Sequence, residues 1–139
     1  MGRRFAEIIL PLPLKGPLSY AIPGHLNELI RVGARVLVPF GRQKLYSGIV
    51  TAITDEVPEG FEPKEILSVS DSEPLVNETQ LLHWNWIAEY YMCNAGEVLK
   101  AAVPSAFFIK GSKDSEPEEK YRPHLETFIR LAKKFSAEE

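Results

Sequence analysis

Side chains with catalytic potential are thinly scattered along this chain. Ser19 and Ser105 are the serines to weigh as nucleophiles, but neither has a histidine at a spacing that would supply a base. A hydroxyl without such a base is a poor nucleophile. Cys93 is the single cysteine, and His25, His83 and His124 lie far apart. No spacing resembles a zinc site, so no residue is assigned a catalytic or metal-ligating role, and Cys93 reads as a small buried side chain. The acidic pairs Glu118-Glu119 and Glu138-Glu139 fall in polar tails, where solvation accounts for them. The glycine-rich phosphate loop with its lysine, the dinucleotide-binding glycine pattern and the paired-histidine zinc helix are all missing, so no ATP hydrolysis is expected of this chain.

The charges are more informative. The net charge is −3, but residues 1–55 carry Arg3, Arg4, Lys15, Arg31, Arg35, Arg42 and Lys44 against Glu7, Glu28 and Asp55, a local +4, and the remainder carries −7. A basic segment on an acidic chain attracts phosphates locally, but so few cations do not support indiscriminate coating of DNA. Any nucleic-acid contact should therefore be small and geometrically specific.

The elements that position these groups read as a β-rich half followed by helices. Strands are expected at residues 5–10, 18–22, 34–40, 45–53 and 65–69, with a helical turn at 25–30. The proline-rich stretch from Pro11 to Pro17 forbids a helix and favours an edge or loop. Gly33 permits a sharp reversal, and residues 41–44 form a hairpin turn. Asn77 and Gln80 have the spacing of a capping box, so a helix is predicted at 78–93, with Trp86, Ile87 and Tyr90 widening its core-facing side. A second helix is predicted at 97–103, stopped by Pro104. From Lys110 the composition turns polar and linker-like. Beyond it Leu125, Phe128, Ile129, Ala132 and Phe135 fit helical spacing, although 127–131 also fits a strand.

At 139 residues, 45% hydrophobic and 25% charged, the chain can bury one ordinary core. No apolar run approaches the ~20 residues that span a bilayer, and no secretion signal opens the chain, so a cytoplasmic location is expected.

Several stretches taken in order resemble the opening of primosomal protein N′ (PriA) replication-restart helicases. They are Leu10-Pro11-Leu12-Pro13-Leu14, Ser19-Tyr20-Ala21-Ile22-Pro23, Gly33 to Gly41, Gly48-Ile49-Val50, Lys64 and Asp71 to Pro74 around Val69, Trp86 to Tyr91, Gly96 to Leu99, and Ala102-Val103-Pro104. The resemblance covers about residues 5–105 and is looser after 120. It implies an α+β fold, a small antiparallel sheet or partly closed OB-like barrel followed by one or two packing helices. It divides the chain into a 3′ DNA-binding domain (1–107), a linker (108–121) and the truncated start of a winged helix (122–139). The parent would be an ATP-dependent 3′–5′ DNA helicase, with ATP, magnesium and zinc bound only by domains outside this chain.

By the same resemblance, the end-binding pocket maps onto Leu18, Ser19, Gly41 and Lys64. The implied partners are branched or forked DNA with a 3′ strand end and, through the parent, other primosome and replication proteins. Gly41 would let a nucleotide approach its backbone, Lys64 would meet a phosphate, and Ser19 would bond a base edge or terminal hydroxyl. Family members often carry an aromatic where Leu18 stands and an acid where Ser19 stands, which implies weaker stacking and altered base preference here. Two rival readings are a protein-interaction scaffold using the proline-rich segment and the acidic half, and a general single-strand nucleic-acid binder.

Overall fold

A computed structural model describes residues 2–70, 73–108, 110–112 and 127–129. The strands are β1 (Phe5–Ile9), β2 (Leu18–Ala21), β3 (Arg35–Phe40), β4 (Lys44–Thr54), β5 (Ser68–Val69) and β6 (Lys110–Ser112), and all pair antiparallel. Their order is β2-β1-β4-β3-β5, with β6 added to β4. β4 is the spine. Its residues 49–54 pair with β1 and its residues 44–49 with β3, and β6 fills the edge at 44–46 beyond the reach of β1. A bulge at Thr51, the β4 residue skipped between the Glu7–Ala52 and Ile8–Val50 pairs, strengthens the local twist of β4.

The two ends of the sheet meet at one parallel bridge, Ala21 with Glu65. There the Ala21 N–H donates to the Lys64 carbonyl at 2.8 Å and the Ile66 N–H donates to the Ala21 carbonyl at 3.1 Å. The sheet is curled but not a continuous closed ladder, which is the expected α+β, OB-like architecture. This bridge also explains why the expected 65–69 strand shortens to Ser68–Val69: residues 64–66 serve β2 instead.

Period-2 alternation splits the apolar residues between two cores. Ala6, Ile8, Val36, Val38 and Val50 fill the curl, whereas Ile9 and Ile49 face outward beneath the helices. Helix α1 (Glu78–Tyr90) begins with the expected capping box: the Gln80 N–H donates to Asn77 Oδ1 at 2.8 Å and the Asn77 N–H to Gln80 Oε1 at 3.0 Å. Helix α2 (Ala95–Ala102) starts two residues before the expected boundary because Asn94 and Glu97 build a second box. Leu81 and Trp84 of α1 and Val98 and Leu99 of α2 close the outer core. Gly33 makes the expected reversal at φ +88°, where an added Cβ would overlap the Val76 carbonyl.

Four expectations need correction. α1 ends at Tyr90, not at residue 93, because Met92 enters the left-handed region at φ 53° and the Cys93 N–H folds back to the Ala88 carbonyl. Cys93 is consequently half-buried, not buried. Trp86 and Tyr90 do not widen the core face: they are 55% and 66% exposed, since the 81–84–88 stripe meets the sheet and 86 and 90 project the other way. The segment read as a linker from 108 includes β6, whose backbone pairs with the free edge of β4. The rest of that segment, 113–121, lies outside the described residues. So does the 122–139 region apart from Thr127, Phe128 and Ile129, which are neither helix nor strand.

Candidate nucleic-acid interface

Leu18, Ser19, Gly41 and Lys64 come from three separate stretches of chain and line one cleft of about 250 Å³ at the rim of the curl. β2 supplies the first two, the β3–β4 turn supplies Gly41, and the segment before β5 supplies Lys64. Three hydrogen bonds tie these stretches pairwise. The Tyr20 hydroxyl donates to the Pro39 carbonyl at 2.8 Å, joining β2 to β3 across the interior. The Lys64 Nζ donates to the Gly41 carbonyl at 2.7 Å, joining the turn to the segment before β5. The Ala21 N–H to Lys64 carbonyl bond closes the triangle. Burial pushes the Tyr20 hydroxyl up to about 12, so it stays protonated and remains a donor at neutral pH.

Gly41 has φ +71°, and the space where its Cβ would stand has no atom within 4 Å. Two properties coincide there: the turn requires a left-handed residue, and its outer side is open to a close-approaching ligand. Lys64 is exposed, as are Arg42 and Lys44 just after Gly41 in the same turn. Ser19 and Leu18 are half-buried in the wall.

The basic half does not contribute all its cations to solvent. Arg35 is only 3% exposed, donates to the Phe107 carbonyl at 2.6 Å and lies over the Phe107 ring at 5.3 Å. It fastens residues 105–107 to the outer face of β3 and is not a surface phosphate ligand. Arg4 is held by Asn27 at 3.2 Å and Asp55 at 3.8 Å. A second cleft of about 440 Å³ lies beneath α1, but Glu78 is its one charged lining residue, so it offers no counter-charge to a phosphate.

Residue-type reasoning missed five members of the rim cleft: Tyr20, Pro39, Phe40, Phe61 and Glu62. The signal for Phe61 was its isolation as a large aromatic in the otherwise polar, Pro- and Gly-bearing 55–63 loop. Glu62 carried no such signal.

A curled sheet with an open cleft at its rim and cations beside it defines a small nucleic-acid-binding domain. The chain belongs to the PriA 3′ DNA-binding domain (3′BD) family, whose family model matches residues 7–104. It is 32% identical over 114 residues to replication restart protein PriA of Bacillus subtilis, covering 79% of this chain and 14% of that protein. It is 36% identical over 105 residues to that of Treponema pallidum (71% and 16%) and 33% identical over 105 residues to that of Haemophilus influenzae (73% and 14%). The chain thus spans about one-seventh of the relatives' length. Among the described residues no helix is long and apolar enough to cross a membrane, and no group of three or more His, Cys, Asp or Glu side chains is placed to hold a metal ion.

Proposed function

We propose that this chain captures the free 3′ end of a DNA strand, with the terminal nucleotide seated among Leu18, Ser19, Gly41 and Lys64. The observation that supports this reading is the convergence of those four residues, distant in sequence, on one cleft with an open backbone position and an exposed ammonium. Lys64 meets a phosphate, Ser19 bonds the hydroxyl or base edge, and Leu18 gives apolar contact. The chain then serves as the targeting module of a replication-restart helicase at stalled or branched forks. Unwinding with 3′–5′ polarity, the ATP, magnesium and zinc that accompany it, and contacts with other primosome and replication proteins belong to the rest of the parent, which works in the cytoplasm.

Oligonucleotides ending in a 3′-hydroxyl or a 3′-phosphate, titrated at fixed salt, test the reading. Replacing a seated hydroxyl by a bulky anion strands a polar partner and costs about 1–3 kcal/mol, roughly 5- to 150-fold in affinity. Changing the sequence of the duplex arm should matter far less. Equal affinities for the two ends would remove end recognition.

A protein-interaction module is the second reading, favoured by the exposed aromatic face of α1. A phosphate-driven complex weakens steeply between low and physiological salt, whereas an apolar protein contact does not.

A further inference from the structure

We infer that Phe61 and Glu62, which line the rim cleft together with Leu18 and Ser19, are the residues that read the terminal nucleotide: Phe61 stacks on the base and Glu62 accepts a hydrogen bond from the 3′-hydroxyl. The inference rests on the end-capture reading and assigns its specificity.

Phe61 is 57% exposed and belongs to neither hydrophobic core. It stands in the sequence Glu59-Gly60-Phe61-Glu62-Pro63, where every neighbour is small, polar or a chain-stiffening proline. It also lines the cleft. Phe40, the other phenylalanine of the lining, is committed to an edge-on contact with Tyr46 at 5.8 Å. Tyr20 is committed to Pro39. Phe61 is therefore the exposed ring of the lining that a base can reach, and Pro63 and the Lys64–Ala21 bond anchor the loop that carries it.

Glu62 is the one carboxylate among the lining residues and is exposed. It forms no ion pair with Lys64 among the described residues, where Arg4–Asp55 is the ion pair found. A carboxylate accepts hydrogen bonds and cannot donate them. A terminal 3′-hydroxyl offers it a donor, while a 3′-phosphate brings a like charge into the same small volume. Lys64, two residues on, sits where the opposite charge of an internucleotide phosphate is welcome. The cleft thus carries an apolar face, an acceptor for the strand's terminus and a cation for its last phosphodiester. The cleft of about 250 Å³ adjoins a second one of about 530 Å³ that shares Pro39 and Lys64 with it, so Lys64 stands between two openings.

The 139-residue chain and its Glu62→Gln and Phe61→Ala variants, with Phe61→Trp as the conservative control, are titrated at fixed salt. The oligonucleotides differ only at the terminus: 3′-hydroxyl, 3′-deoxy, 3′-phosphate, or a terminal nucleotide lacking its base. Both side chains are exposed, so the variants should unfold at the wild-type midpoint. Glu62→Gln should bind the 3′-phosphate end better than the wild type does, cutting the hydroxyl-to-phosphate preference by about tenfold. It should keep part of the sensitivity to the 3′-deoxy change, because its amide oxygen still accepts from the hydroxyl. Base removal should weaken the wild type about 5- to 150-fold and Phe61→Ala hardly at all, with Phe61→Trp restoring the effect. If the wild type distinguishes the ends and both variants retain its full preferences, the assignment to Phe61 and Glu62 is overturned and end capture stands. If the wild type itself treats all ends alike, end capture falls and takes this inference with it.

Discussion

The cleft rim and the outer face of α1 both expose aromatic side chains, and they differ in almost everything else. On α1 and its C-cap residue Tyr91, His83, Trp86, Tyr90 and Tyr91 form a continuous ladder with ring centroids 6.1, 5.1 and 5.0 Å apart. That ladder shares its helix with Glu78 and Glu89 and with no lysine or arginine. At the rim one exposed ring, Phe61, stands beside Lys64 and near Arg42 and Lys44, and the backbone around it is tied at three points. An aromatic surface alone therefore does not mark a nucleic-acid site. The proposed site adds counter-charge and a fixed frame, which matter because phosphate contacts supply much of the affinity and a pre-set cleft avoids ordering costs on binding.

The sharpest way to separate the two regions is to damage the layer beneath α1 and ask whether the rim notices. Trp84→Ala should cost about 3–5 kcal/mol of stability by emptying the outer core. The fraction that remains folded should bind DNA as before, which denaturant titration with and without oligonucleotide will reveal. A loss of intrinsic affinity would show that the rim depends on the helical layer.

Gly41→Val attacks the rim directly. A β-branched residue at φ +71° costs about 1–3 kcal/mol and crowds the open side of the turn. Gly41→Asn tolerates the same backbone and should recover most of the stability, so comparing their unfolding midpoints isolates strain from obstruction.

Tyr20→Phe should remove about 1 kcal/mol by leaving the Pro39 carbonyl without its donor. It should also change the alkaline limb of the stability profile. The folded state keeps Tyr20 neutral up to about 12, whereas an unfolded tyrosine ionises near 10. The stability this confers is fully present below pH about 10 and is lost as pH rises towards about 12. The phenylalanine variant should lack that loss, as unfolding measured across this window will report.

The smallest effects should fall on paired surface changes. Lys64→Ala should lower affinity for every strand end and reduce the salt slope by about one unit or less. Trp86→Ser should leave DNA affinity unchanged and stability within about 0.5 kcal/mol. If Trp86→Ser weakens DNA binding as much as Lys64→Ala does, the contrast between the two faces is wrong.

Local signals were legible in the sequence wherever a residue speaks through its immediate neighbours. Asn77 and Gln80 announced α1, Gly33 announced a reversal, and alternation from Phe5 onward announced strands. Reading failed where the decision lay with distant partners. Nothing near Trp86 reveals that the helix turns that ring to solvent. Arg35 looks like any cation of a basic segment until Phe107, seventy-two residues later, covers it. Lys110 to Ser112 has the composition of a linker, and only the unclaimed edge of β4 makes it a strand. The four site residues entered through family resemblance. Their gathering into one cleft, together with Phe61 and Glu62, follows from the curl of the sheet, which no short motif encodes.

The position of β6 has a mechanical meaning. Ser112 lies opposite Lys44, and Lys44 lies opposite Phe40, so β6 ends two strand spacings, about 10 Å, from the strand that ends at the cleft. The backbone bonds of β6 therefore brace the β3–β4 hairpin next to the turn that carries Gly41, and not at the far side of the domain.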